Sequence, residues 1–213
     1  MSLVGDLFFK PKQVVQDAFK KPALGQAVVF VLLPTLALIL GKFILQSVIP
    51  LATFALFFAN DILIWAITGA LLYLGVWVFN QKNASRETFA GILTALALRG
   101  FYLALFYLVF FAVLLLVFPA FVAATQGLVE GVLSAPDYLD IFQETLEEIS
   151  LVQALVFLAL MLVMLLLYAY ALYTLYLTVA NALKKTVAVH VLALILLLIA
   201  SSLITSLFSL VGH

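Results

Sequence analysis

Asn60, Asp61 and Arg99 stand inside long apolar runs, where a charged or strongly polar side chain is costly and calls for a partner. Arg99 lies about ten residues into its run, roughly 15 Å from the inner end. Asp61 is the obvious counter-ion, yet on straight, upright helices the two differ in depth by about 12 Å. A tilt, a break near Pro50 or a water-filled cavity would bring them together. Otherwise Arg99 is structural and snorkels toward the inner surface, which is the preferred reading. Asn60 and Asp61 also read as a helix start, since both types are favoured N-caps and eighteen apolar residues follow. Residues 48–59 would then be an interfacial or re-entrant piece. The alternative is a half-helix start inside the membrane, the way transporters present an ion or anion site.

Tyr170, Tyr173 and Tyr176 recur at helical spacing ahead of Asn181. They fit either the lining of a polar cleft or an interfacial aromatic belt, the latter being preferred. With Tyr102, they give a candidate intramembrane polar site of Asn60, Asp61, Arg99, Tyr102, Tyr173 and Asn181. Catalysis is not expected. The chain has no phosphate-binding glycine loop, no H-E-x-x-H and no G-x-S-x-G. His190 and Ser201 are too far apart on one helix to act as a base and nucleophile. No cofactor or metal is expected. Cysteine is absent, which removes disulfides and thiolate ligands.

These residues are positioned by an extremely apolar chain. Of 213 residues, 67% are hydrophobic and 9% charged, with a mean hydropathy of +1.31. Five stretches reach the roughly 20 residues that a helix needs to cross the hydrocarbon core. They are 24–45, 54–79, 89–118, 151–179 and 187–210. No period-2 alternation appears, which excludes a β-barrel. The expected fold is an all-α polytopic bundle of five transmembrane helices, residues 23–213, with one sizeable outer loop at 119–150. Net charge is zero, so charge gives no argument for nucleic acid.

Five crossings put the termini on opposite sides, and the basic residues decide which is inside. With the N-terminus cytoplasmic, Lys10, Lys12, Lys20, Lys21, Lys82, Arg86, Lys184 and Lys185 fall inside and Lys42 alone outside. Glu130, Asp137, Asp140, Glu144, Glu147 and Glu148 fall outside. In the loop, Ser134 to Asp137 has the form of a capping box. Leu139, Phe142, Leu146 and Ile149 follow at helical spacing, giving an acidic amphipathic helix with a solvated acidic face.

The cytoplasmic segment 1–22 holds a second amphipathic helix, between Pro11 and Pro22. Val14, Val15, Ala18 and Phe19 fall on one face, and Lys12, Gln13, Gln16, Asp17 and Lys20 on the other. It is expected on the inner membrane surface, with Phe19 in the leaflet and Lys12, Lys20 and Lys21 near anionic lipid headgroups. Packing on the protein's own loops is the alternative.

This pattern resembles the Yip1 domain family. The resemblance is carried by Phe9, Pro11, Phe19 and Pro22, by "NASRETFAGILTALALRGFYLALF" at 83–106, and by "TLYLTVANALKKTVAVHVLAL" at 174–194. It implies a cytoplasmic N-terminus, five membrane helices and a non-enzymatic scaffold or adaptor role in membrane organisation. The longer acidic N-terminus with a "DLYGP"-like motif, found in members associated with Rab GTPases, is not present. The expected partners are the bilayer and its anionic headgroups, with self-association or a membrane-protein partner. A small transporter or channel built on Asp61 and Arg99, or an accessory subunit of a larger complex, is the alternative.

Overall fold

The computed structural model describes residues 3–45, 51–129, 131–132, 134–147, 149–187, 189–191, 193–197 and 199. Among these no strand occurs, and nine α-helices follow in order. They are α1 (Leu3–Phe9), α2 (Pro11–Lys20), α3 (Leu24–Leu45), α4 (Leu51–Phe79), α5 (Arg86–Ala97), α6 (Arg99–Val117), α7 (Pro119–Val129), α8 (Ala135–Glu147) and α9 (Leu151–Leu183). Four segments are long and apolar enough to cross a membrane: Leu24–Gly41, Ala55–Phe79, Arg86–Val117 and Leu151–Leu183. The expected fifth crossing begins as helix at 187, but its second half lies outside the described residues. Ser202, Ser206 and Ser209, Pro50, Glu130 and Glu148 lie outside them too.

The apolar segment Arg86–Val117 is two helices joined at Leu98. There the amide of Leu98 bonds the carbonyl of Ala95 and that of Phe101 bonds Leu98, both at 3.3 Å, so the ladder tightens for one turn to 3₁₀ spacing. α6 then packs along both α3 and α9, while α4 packs on α3 and α5. Among the described glycines Gly100 allows the closest approach to another helix's backbone: a Cβ there would lie 2.1 Å from the Phe30 carbonyl oxygen. Small residues of this kind let membrane helices meet backbone to backbone.

Two predictions about helix ends are corrected. α4 runs unbroken from Leu51 to Phe79, so Asn60 and Asp61 lie inside a helix and cap nothing. Seven apolar residues and Thr53, at 52–59, sustain the helix ahead of them, overriding the cap preference. The second correction is to the N-terminal helix. α2 forms where expected, with Pro11 in its first turn, but its apolar face is turned into the protein. Val15 and Ala18 are buried, and Phe19 packs over Gly91, whose missing Cβ would meet Phe19 Cα at 3.0 Å. Phe19 therefore fills a socket on α5, the packing on the protein itself that was the alternative. Lys12, Lys20 and Lys21 stay exposed.

A short helix that the sequence reading omitted, α1, adds Leu7 and Phe8 to the same core. Phe8 makes edge contacts with Phe101, Tyr102 and Tyr170 at ring separations of 5.8, 5.7 and 6.0 Å. The connectors close the same end of the bundle, where the Asn80 amide donates to the Leu183 carbonyl at 3.3 Å. At the other end Gln153 donates to the Val117 carbonyl at 3.3 Å. There α8 starts at Ser134, whose hydroxyl caps the Asp137 amide at 3.4 Å while its own amide donates to the Asp137 carboxylate at 3.2 Å. α9 opens on a full capping box between Ser150 and Gln153.

Candidate functional site: a polar cleft between α3, α4 and α6

A cleft of about 430 Å³ lies beside the Leu98 break, inside the range of about 300–1,000 Å³ usual for ligand sites. α4 supplies Asn60, Asp61, Trp65 and Thr68; α3 supplies Pro34 and Thr35; α6 supplies Arg99 and Tyr107. Val31, Leu38, Phe57, Ile64 and Leu103 make up much of the apolar wall. The spacing on α4 follows from helical periodicity: positions 57, 60, 61, 64, 65 and 68 share one face.

The polar groups of the cleft are only partly satisfied. The Thr35 hydroxyl donates to Oδ2 of Asp61. Trp65 is spent elsewhere, its indole N–H donating to the Leu93 carbonyl at 2.8 Å. Asn60 Oδ1 is buried and has no hydrogen-bond partner. Arg99 makes no ion pair: among the described residues the one pair within 4.0 Å joins Lys20 and Asp17 on the surface of α2, at 3.8 Å. Tyr107 stands in electrostatic reach of both Asp61 and Arg99. An acidic and a basic side chain thus line one cleft between apolar helices without closing on each other.

Of the predicted site residues, the fold brings Asn60, Asp61 and Arg99 together. The 3₁₀ turn at Leu98 precedes Arg99 directly, so the run is not the straight helix assumed in the depth argument. Tyr102, Tyr173 and Asn181 lie elsewhere. Tyr102 is buried in the core and donates to the Leu7 carbonyl at 2.6 Å. Tyr173 is exposed on α9. Asn181 returns its amide to the Leu177 carbonyl of its own helix at 2.8 Å. Thr35, Thr68 and Tyr107 were missed. Thr35 follows Pro34 inside α3, and only the α3–α4 packing makes it a partner of Asp61.

Comparison of the chain with protein-family models, with curated proteins and with solved structures finds no match in any of the three.

Proposed function

We propose that this chain is a multi-pass membrane protein of the Yip1 kind that binds a small polar ligand in the α3–α4–α6 cleft, as a transporter or a solute-binding membrane protein does. Its reading includes five crossings, a cytoplasmic N-terminus and an outer C-terminus. One observation carries it: Asp61 and Arg99 line a common cleft unpaired. Isolated charges at membrane depth mark substrate paths, because burying them without mutual neutralisation is retained only for a purpose. The reading is non-enzymatic and involves neither metal nor nucleic acid.

The chain has no cysteine, so single-cysteine labelling is clean. Asn60→Cys and Tyr107→Cys should react with a hydrophilic thiol reagent in membranes, while Ala171→Cys, in the core, should not. Labelling of the cleft positions no faster than the core control overturns the reading. Reporter tags at the two termini test the topology, and both ends in one compartment would end it.

A second reading, the scaffold or adaptor, keeps one specific support. Phe9 is 81% exposed at the end of α1 and lies close in sequence to the exposed Lys10, Lys12, Lys20 and Lys21. An aromatic ring among lysines is the pattern of an interfacial anchor on anionic lipid. Loss of binding to anionic vesicles on Phe9→Ala together with neutralised lysines would favour it.

A further inference from the structure

We propose that the ligand of this cleft is an aliphatic zwitterion, an anionic group and an ammonium group carried on a short apolar body. This rests on the ligand-binding reading of the cleft given above. The first ground is charge. The cleft holds one fixed cation, Arg99, and one fixed anion, Asp61. A simple anion or a simple cation would leave it with net charge at membrane depth, which is costly. A zwitterion leaves it neutral and gives each fixed charge a partner.

The second ground is hydrogen-bonding capacity. The Arg99 guanidinium offers five donors in a fixed fork and has no ion-pair partner, so it suits a carboxylate or phosphate oxygen pair. On α4 the unfilled capacity is of the opposite kind. Asn60 Oδ1 is a buried acceptor without a donor, and Thr35 occupies Oδ2 of Asp61. Consecutive acceptors at 60 and 61 suit the several N–H bonds of an ammonium group. Tyr107 lines the same cleft in electrostatic reach of both charges. Leu38, Phe57 and Leu103 give the body of the ligand an apolar wall.

Two sources share this chemistry: a free amino-acid-like solute, and the phosphate-ammonium headgroup of a zwitterionic lipid. Protein in phosphatidylglycerol nanodiscs separates them. Leucine, 4-methylpentanoate and isopentylamine are titrated in turn, and phosphatidylethanolamine retention is read by native mass spectrometry. Leucine or phosphatidylethanolamine should bind at least ten-fold more tightly than either singly charged analogue or phosphatidylglycerol. Arg99→Gln and Asp61→Asn should each weaken that binding ten-fold or more, Arg99→Lys less, and Asn181→Ala not at all. A singly charged analogue that binds as well as leucine overturns the zwitterion, as does binding that survives both charge-removing variants. Absence of both ligands, in a protein whose Asn60→Cys is labelled, overturns the zwitterion and leaves the cleft reading standing. Absence of labelling removes both.

Discussion

The Tyr102 hydroxyl donates a 2.6 Å hydrogen bond to the carbonyl of Leu7, 95 residues earlier in the chain. The bond answers a defect written into the sequence. In a helix the Leu7 carbonyl would accept from the amide at position 11, but that residue is Pro11, which has no N–H. Leu7 and Tyr102 are both fully buried, so water cannot substitute. Tyr102→Phe strands a buried carbonyl and should cost about 1–3 kcal/mol. Because the loss falls at the α1–α2 junction, hydrogen exchange should accelerate in residues 3–20 well before α9 is affected. Uniform acceleration across the chain would count against a local clasp.

Gly100 should be the least replaceable of the described glycines, and Gly25 among the most. A Cβ at 100 would collide with the backbone oxygen of Phe30, whereas one at 25 meets nothing within 4 Å. Backbone cannot turn aside as a side chain can, so Gly100→Ala should separate α3 from α6 and cost about 1–3 kcal/mol. Gly25→Ala, exposed in the first turn of α3, should be neutral or stabilise by up to about 1 kcal/mol. Thermal unfolding of the two variants in one detergent gives the comparison.

Four of the five apolar stretches were legible as long helices because length and hydropathy alone decide them: 24–45 matches α3, and the ends of 89–118 and 151–179 fall within four residues of the helices found. The acidic helix at Ala135–Glu147 was legible through its Ser134–Asp137 cap. The Leu98 break was not, since no proline precedes it and the weak stop signal of Arg99–Gly100 is flanked on both sides by apolar helix-forming sequence. Nor was the destination of α2's apolar face. Amphipathicity says that a face is buried and is silent on whether lipid or Gly91 covers it. Asn60, Asp61 and Arg99 stood out as charges in an apolar context. Thr35, Thr68 and Tyr107 are ordinary residues of membrane helices until packing gives them Asp61 and Arg99 as neighbours.

At the acidic helix α8, pH should act through Asp137. The Ser134 hydroxyl and then the Ser134 amide hold its carboxyl below the ordinary value of 3.8, the hydroxyl contact being 2.5 Å. A lowered folded-state pKa means that its contribution is complete above about 3.9, the value of the free side chain. It is lost as pH falls through the lower folded value. α8 should therefore begin to fray only under distinctly acid conditions. Ser134→Ala should raise the Asp137 midpoint toward 3.8. Carbon-detected titration of the Asp137 carboxyl reads this directly, and an unchanged midpoint in the variant would refute the cap as its cause.

Arg99 sets stability against binding. Arg99 has no ion-pair partner among the described residues, so the folded protein bears a desolvation cost that no counter-ion offsets. Removing both charges together removes the cost: replacing a buried set of opposite charges by neutral side chains of similar reach is often neutral or stabilising by about 1–4 kcal/mol. Arg99→Met in an Asp61→Asn background, which leaves no lone charge in the cleft, should therefore raise the unfolding midpoint above that of Asp61→Asn while abolishing ligand binding. Asp61→Asn alone should behave differently, because the Thr35 hydroxyl can still donate to the amide oxygen; its stability should change little and its binding should fall. A residue kept only for structure would give the opposite result at 99, with the double variant unfolding at lower temperature than Asp61→Asn. The two midpoints, measured in the same detergent without ligand, therefore separate a charge held for a ligand from one held for the fold.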